Sequence, residues 1–157
     1  MLYLLPQMIQ LTPKQVAIME GKICPYCGNE TLYIDSKDIY NKSYGMIYSC
    51  KPCKAYCGVH KGTDRSLGRI ANKELRELKI EAHKYFDAIW KRKQEKRSFM
   101  YARLSEYLGI PKEYTHIGMF SPKTCIRVIF WAKRLSNDLK DLDKEFGIYH
   151  DYEYFDL

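Results

Sequence analysis

The sequence has no run approaching the roughly 18–20 consecutive apolar residues that a membrane-spanning helix needs, so no membrane partner is expected. The apolar opening Met1-Leu2-Tyr3-Leu4-Leu5-Pro6 lacks the basic start and the longer apolar stretch of a secretory signal. A cytoplasmic location is therefore expected. No segment is of low complexity or has the composition of a disordered chain, and no internal repeat is present. Catalytic signatures are missing too. There is no phosphate-binding P-loop, no G-x-S-x-G elbow, no H-E-x-x-H, and no H-x-E with a following P-C-x-x-C. The sequence names no reaction.

What is present is a 157-residue chain that is 46% hydrophobic, enough for a real core. That length fits one compact domain, or a small metal module joined to a helical one. The net charge of +7 is unevenly placed: residues 1–60 carry an excess of two positive charges, residues 61–103 an excess of seven, and residues 104–157 an excess of two negative charges. A basic block of this kind can attract nucleic-acid phosphates, or it can be a solvated helix face. The 14 tyrosines, many beside charged residues, suit either base stacking and partner contacts or half-buried amphipathic surface.

Thr12-Pro13 reads as an N-cap followed by proline at the first helical position, opening a short helix over roughly 13–20. Leu32-Tyr33-Ile34 and Met46-Ile47-Tyr48 read as strand cores, with turn-forming residues from Asp35 to Gly45 between them and a third strand from Ala55 to Val59. Gly58 to Gly68 reads as a loop. From the cap Asn72 a long helix is expected to about Lys96, with Leu75, Leu78, Ala82, Tyr85 or Phe86, and Ile89 on its apolar face. Ser98 is expected to cap a helix over Phe99 to Leu108, stopped by Gly109 and Pro111. Ser121-Pro122 opens another, with Cys125, Val128, Ile129, Ala132 and Leu135 on one face, and Leu139, Leu142 and Phe146 extending it either directly or after a break near Ser136. The expected fold is α+β: a helical lead-in over 1–21, a zinc ribbon with a small antiparallel sheet over 22–62, a domain of three to four helices over 63–147 on which the ribbon packs, and an acidic aromatic tail over 148–157.

The strongest signal is a pair of knuckles, Cys24-Pro25-Tyr26-Cys27-Gly28 and Cys50-Lys51-Pro52-Cys53, separated by 22 residues. Two intervening residues let both sulfurs of a knuckle meet one ion while backbone N–H groups face the thiolates. Cytosolic thiols stay reduced, so paired cysteines favour metal over disulfides. Four thiolates make a closed tetrahedral site that zinc favours and that leaves no position for water. One structural zinc is expected on Cys24, Cys27, Cys50 and Cys53, and any chemistry must lie elsewhere. A redox dithiol would need only one such pair. Cys57 and His60 follow closely enough to compete as ligands, whereas Cys125 sits on an apolar helical stripe and reads as a core thiol.

A polar constellation follows the knuckles. Val59-His60-Lys61-Gly62-Thr63 places a histidine at a strand end before a glycine turn. Arg76, His83, Asp87 and Trp90 share one face of the long helix, where His83 and Asp87 at i, i+4 can hydrogen-bond. His116 lies in the loop before the last helix. His60, His83, Asp87 and His116 could converge as a catalytic or second metal site, or form a buried polar network that ties ribbon to helices.

The stretch from C-P-Y-C-G through Y-x-C-x-x-C-x-A-Y-x-G-V-H-K-G-T, then L-G-x-x-A-N-x-E-L-R and A-H-x-x-F-D-x-x-W, resembles a zinc-finger-containing domain family of unknown function known mainly from bacteriophages and prophages. Tyr101-x-x-Leu104 and the run from His116 to Phe120 look like its C-terminal half; the likeness covers roughly residues 23–130. The family pattern has valine where Cys57 stands, which implies that Cys57 is not a required ligand. It includes the positions of His60, Thr63, His83, Asp87, Trp90 and His116, and implies that they belong to one site.

The expected function is that of a phage or mobile-element protein, in a bacterial host cell, that binds nucleic acid. Phosphates would meet Lys61, Arg65, Arg69, Lys91, Arg92, Lys93, Lys96, Arg97 and Arg103, and bases could stack on Tyr26, Tyr44 and Tyr56. One alternative is an enzyme acting on nucleic acid or nucleotide with the His/Asp cluster as acid/base groups or second-metal ligands. The other is a protein-binding inhibitor of a host defence or replication factor, suggested by the acidic aromatic tail from Tyr149 to Leu157.

Overall fold

The structure, a computed structural model, describes residues 7–136 except Lys93 and the side chain of Arg92. Among these residues the elements run α1 (Pro13–Met19), β1 (Leu32–Asp35), β2 (Met46–Cys50), β3 (Ala55–Gly58), α2 (Lys73–Arg92), α3 (Arg97–Leu108) and α4 (Pro122–Leu135). The α+β expectation holds. The expected helical extension past Ser136 and the acidic tail lie outside the described residues. Two compact units form: Leu11–Glu77, and Leu78 onward with residues 7–10.

In the first unit, Thr12 caps α1 through a reciprocal pair: its hydroxyl accepts from the Gln15 N–H at 3.2 Å, and its own N–H donates to the Gln15 side chain at 2.8 Å. The three strands form an antiparallel sheet in the order β1-β2-β3, with Tyr33, Tyr48 and Cys57 in cross-strand register. The expected third strand stops at Gly58, one residue early. The segment expected as a loop is more ordered than that: Leu67 N–H donates to the Gly58 carbonyl at 2.9 Å, Val59 bridges Ser66, and Tyr56 bridges Ala71. Residues 66–71 thereby cover the free edge of β3, which is why the ribbon's unit continues past residue 62. Asn72 caps α2 as expected, its side-chain oxygen accepting from the Leu75 N–H at 3.0 Å.

The second unit is built on apolar helix faces. Phe86, Ile89, Met100, Leu104, Leu108, Val128 and Ile129 are buried, and Phe86 rather than Tyr85 fills the ambiguous α2 position. Its ring packs 4.4 Å from Tyr101. Cys125 is fully buried, as its stripe position implied. Two boundaries differ from expectation. Helix α2 ends at Arg92, and Gln94 just beyond takes a left-handed backbone with φ 54°. Helix α3 starts earlier than Ser98 would set it, because the Phe99 and Met100 N–H groups both donate to the Lys96 carbonyl. Gly109 closes α3 at φ 70°, and Ser121 caps α4 ahead of Pro122.

Candidate metal centre and polar clusters

Each knuckle is the tip of a small antiparallel turn. In the first, Ile23 bridges Glu30, Cys24 N–H donates to the Asn29 carbonyl at 2.8 Å, and Gly28 N–H donates to the Cys24 carbonyl at 2.9 Å. In the second, Cys50 ends β2, Ala55 opens β3, and Lys54 N–H donates to the Lys51 carbonyl at 3.1 Å. The residue after the second cysteine must turn into left-handed space in both: Gly28 at φ 79° and Lys54 at φ 52°. The glycine signal is thus legible in one knuckle and hidden in the other.

These turns gather Cys24, Cys27, Cys50 and Cys53 so that all four sulfurs lie within 4.8 Å of one another, and Cys27 and Cys50 sulfurs are 3.7 Å apart. A tetrahedron of thiolates at the zinc–sulfur distance of about 2.3 Å has edges of about 3.8 Å. The donor set and spacing fit one zinc ion. Backbone N–H groups of Asn29 and Cys53 donate to the sulfurs of Cys27 and Cys50. The Asn29 bond helps hold the Cys27 thiol down at about 7, whereas burial and the neighbouring sulfurs push Cys53 up to about 12. Four such thiols cannot all ionise beside one another without a cation, so zinc uptake releases protons. With four sulfur ligands the ion is structural. Among the described residues no other group of three or more potential ligands comes together. Cys57 instead packs against the buried cluster of Cys24, Tyr48, Cys50, Ala55 and Ile70, and His60 is exposed outside the sulfur group.

The His-Lys-Gly-Thr segment is a tight turn in which Thr63 N–H donates to the His60 carbonyl at 3.0 Å and Gly62 supplies φ 75°. The Thr63 hydroxyl donates to the same carbonyl at 2.8 Å, and Arg65 N–H donates back to that hydroxyl at 3.1 Å. Lys61 and Arg65 are held outward on this turn, both exposed. Arg69 differs from the other expected phosphate contacts: at 5% exposure it is buried in the ribbon unit and cannot present its charge at the surface. Tyr26, expected as a stacking ring, uses its hydroxyl to accept the Asn72 N–H at 3.1 Å.

In the helical unit His83 and Asp87 do not bond to each other. The His83 Nδ1 lies 2.8 Å from the Lys79 carbonyl, which fixes the proton on Nδ1. Asp87 accepts from the Trp90 indole N–H at 2.8 Å and sits 3.8 Å from Arg97 Nε. The Arg97 guanidinium in turn lies 5.6 Å from the Tyr101 ring, whose centroid is 5.5 Å from that of His116. Asp87, Trp90 and His116 therefore belong to one surface chain of contacts, linked by Arg97 and Tyr101, which sequence spacing did not reveal. Burial raises the Tyr101 hydroxyl above its usual range, although its oxygen accepts from the Ile117 N–H and the Arg97 side chain, which act in the opposite direction. Lys91, Lys96 and Arg97 are exposed and Arg103 is half-buried; the Lys93 position and the Arg92 side chain lie outside the described residues.

Fold and site define a four-cysteine zinc ribbon followed by a helical unit. Residues 20–135 match the family of zinc-finger-containing domains designated DUF3268, and the chain belongs to that family. Comparison with curated proteins and with solved structures gives no match. No helix among the described residues is long and apolar enough to cross a membrane.

Proposed function

We propose that this structural-zinc protein serves a phage or mobile element by binding nucleic acid through the basic surface that follows its ribbon. The observation that carries the reading is the concentration of positive charge in residues 61–103, where seven of the chain's net charges lie. In the ribbon unit Lys61 and Arg65 project from the Thr63-braced turn, and in the helical unit Lys91, Lys96 and Arg97 are exposed. Such contacts recognise phosphates without reading sequence. The zinc has a supporting role: it holds the sheet from which the Lys61–Arg65 turn springs. The mobile-element setting rests on the resemblance of the motifs to a phage family.

Fluorescence anisotropy with labelled oligonucleotides, from low to high salt, tests this reading. Affinity should fall linearly on a log–log plot against salt. Lys61→Glu with Arg65→Glu should weaken binding to every sequence alike and flatten that slope. Absence of binding to single- and double-stranded oligonucleotides at low salt would remove the proposal.

A further inference from the structure

The ribbon unit exposes an aromatic surface that its own stability does not explain. Between β1 and β2, Ile39, Tyr40 and Tyr44 are 40%, 41% and 70% exposed. Rings on an unconstrained loop would fold back or turn freely, but the main chain that carries these is held from below by Ser36, which is 1% exposed. The Ser36 hydroxyl accepts the Tyr44 N–H at 2.7 Å, its N–H donates to the Gly45 carbonyl at 2.9 Å, and its carbonyl accepts the Tyr40 N–H at 2.9 Å. The Tyr40 hydroxyl then donates to that of Tyr56 on β3 at 2.7 Å. Tyr40 meets Tyr44 and Tyr56 edge-on, with centroids 5.5 and 5.9 Å away.

Cations lie over one face of two of these rings, Arg76 on Tyr56 and Lys42 on Tyr44. Arg76 lies 4.3 Å from the Tyr56 centroid, held by its bond to the Ala71 carbonyl at 2.7 Å, and Lys42 lies 5.2 Å from the Tyr44 centroid. The segment Ile39 to Gly45 contains no acidic residue. The acids just before it are engaged: Asp38 with Lys51 at 3.9 Å, and Asp35 with the Lys37 N–H at 2.9 Å. Fixed rings beside positive charge complement a ligand made of flat π-faces joined by anions. In a duplex those faces are stacked on each other; in a single strand they are available.

We propose that Tyr40 and Tyr44, braced by Tyr56 and accompanied by Lys42 and Arg76, form a stacking platform for single-stranded nucleic acid. The proposal rests on the nucleic-acid reading above and adds to it the form of strand and the place where bases sit. The test uses the full-length zinc-loaded protein, a labelled mixed-sequence single strand, the matching duplex, and a salt series. The single strand should bind more tightly than the duplex. Tyr44→Ala should weaken single-strand binding about five- to hundredfold while leaving the salt slope and zinc content unchanged, because a ring is lost and no charge. Tyr44→Phe, which keeps the ring, should bind like the parent. As a check independent of substitution, a strand carrying 5-iodouracil should photocrosslink to Tyr40 or Tyr44. Salt-dependent binding with Tyr44→Ala and Tyr40→Ala unaffected, and crosslinks confined elsewhere, would overturn the platform and leave the basic-surface reading standing. No binding to either oligonucleotide would overturn both.

Discussion

Around its metal ligands the ribbon unit buries Cys24, Tyr48, Cys50, Ala55 and Ile70, so two of the five residues in that cluster are themselves ligands. The helical unit buries long apolar side chains from three helices, with Phe86, Met100, Leu104 and Ile129 at or near zero exposure. One unit is closed by an ion and the other by packing. Hydrophobic burial is spread over many contacts and tolerates the loss of one, whereas a metal site is lost as a whole. The two units should therefore fail under different insults.

Zinc removal is the most severe of these. Structural zinc contributes on the order of 10–16 kcal/mol in small zinc modules, comparable to the whole stability of a typical domain. Chelation, or Cys24→Ser, should abolish amide protection in β1, β2 and β3 while α3 and α4 keep theirs, read by hydrogen exchange. Because uptake releases thiol protons, acidification should act in the same direction as chelation. Uniform loss of protection across both units would break the contrast. The converse is Phe86→Ala, which should cost about 3–5 kcal/mol and lower the melting of the helical unit while zinc content stays at one per chain.

The next effect belongs to the ribbon's backbone. Gly21 has φ 75°, and a Cβ there would stand 2.5 Å from Ser66 Oγ and 2.7 Å from the Gly68 carbonyl. Gly21→Ala should cost about 2–4 kcal/mol through strain and overlap together, measured as zinc retention against a competing chelator. The two knuckles offer a finer test. Gly28 has open space around it, so Gly28→Ala should cost only the left-handed strain of about 1 kcal/mol, and Lys54→Gly should recover up to a similar amount. Smallest is Asp87→Asn: it removes a half-exposed ion pair with Arg97 but keeps an acceptor for Trp90, a loss of under about 1 kcal/mol in thermal melts.

The sequence carried the ligands and most of the elements because their causes are local. Two residues between cysteines, Thr12 before Pro13, Asn72 at a helix start and Ser121 before Pro122 each act within a few positions. What it hid depends on contacts between distant segments. Lys54 does the work of a glycine without being one, and nothing in its surroundings in the chain shows it. Ser36 looks like an ordinary turn serine until its four bonds are seen. His83 and Asp87 have the right spacing to pair, yet each has a competing partner, the Lys79 carbonyl for one and Trp90 with Arg97 for the other. Arg69 reads as one more basic residue, and only the fold shows it buried.

The contrast between the units rests on the coordination of the ion, and X-ray absorption at the zinc edge of the purified protein measures that directly. The expected spectrum fits one zinc per chain with four sulfur neighbours at about 2.3 Å and no lighter ligand. A shell that required a nitrogen or oxygen atom, with His60 or water in place of a cysteine, would contradict the closed structural site.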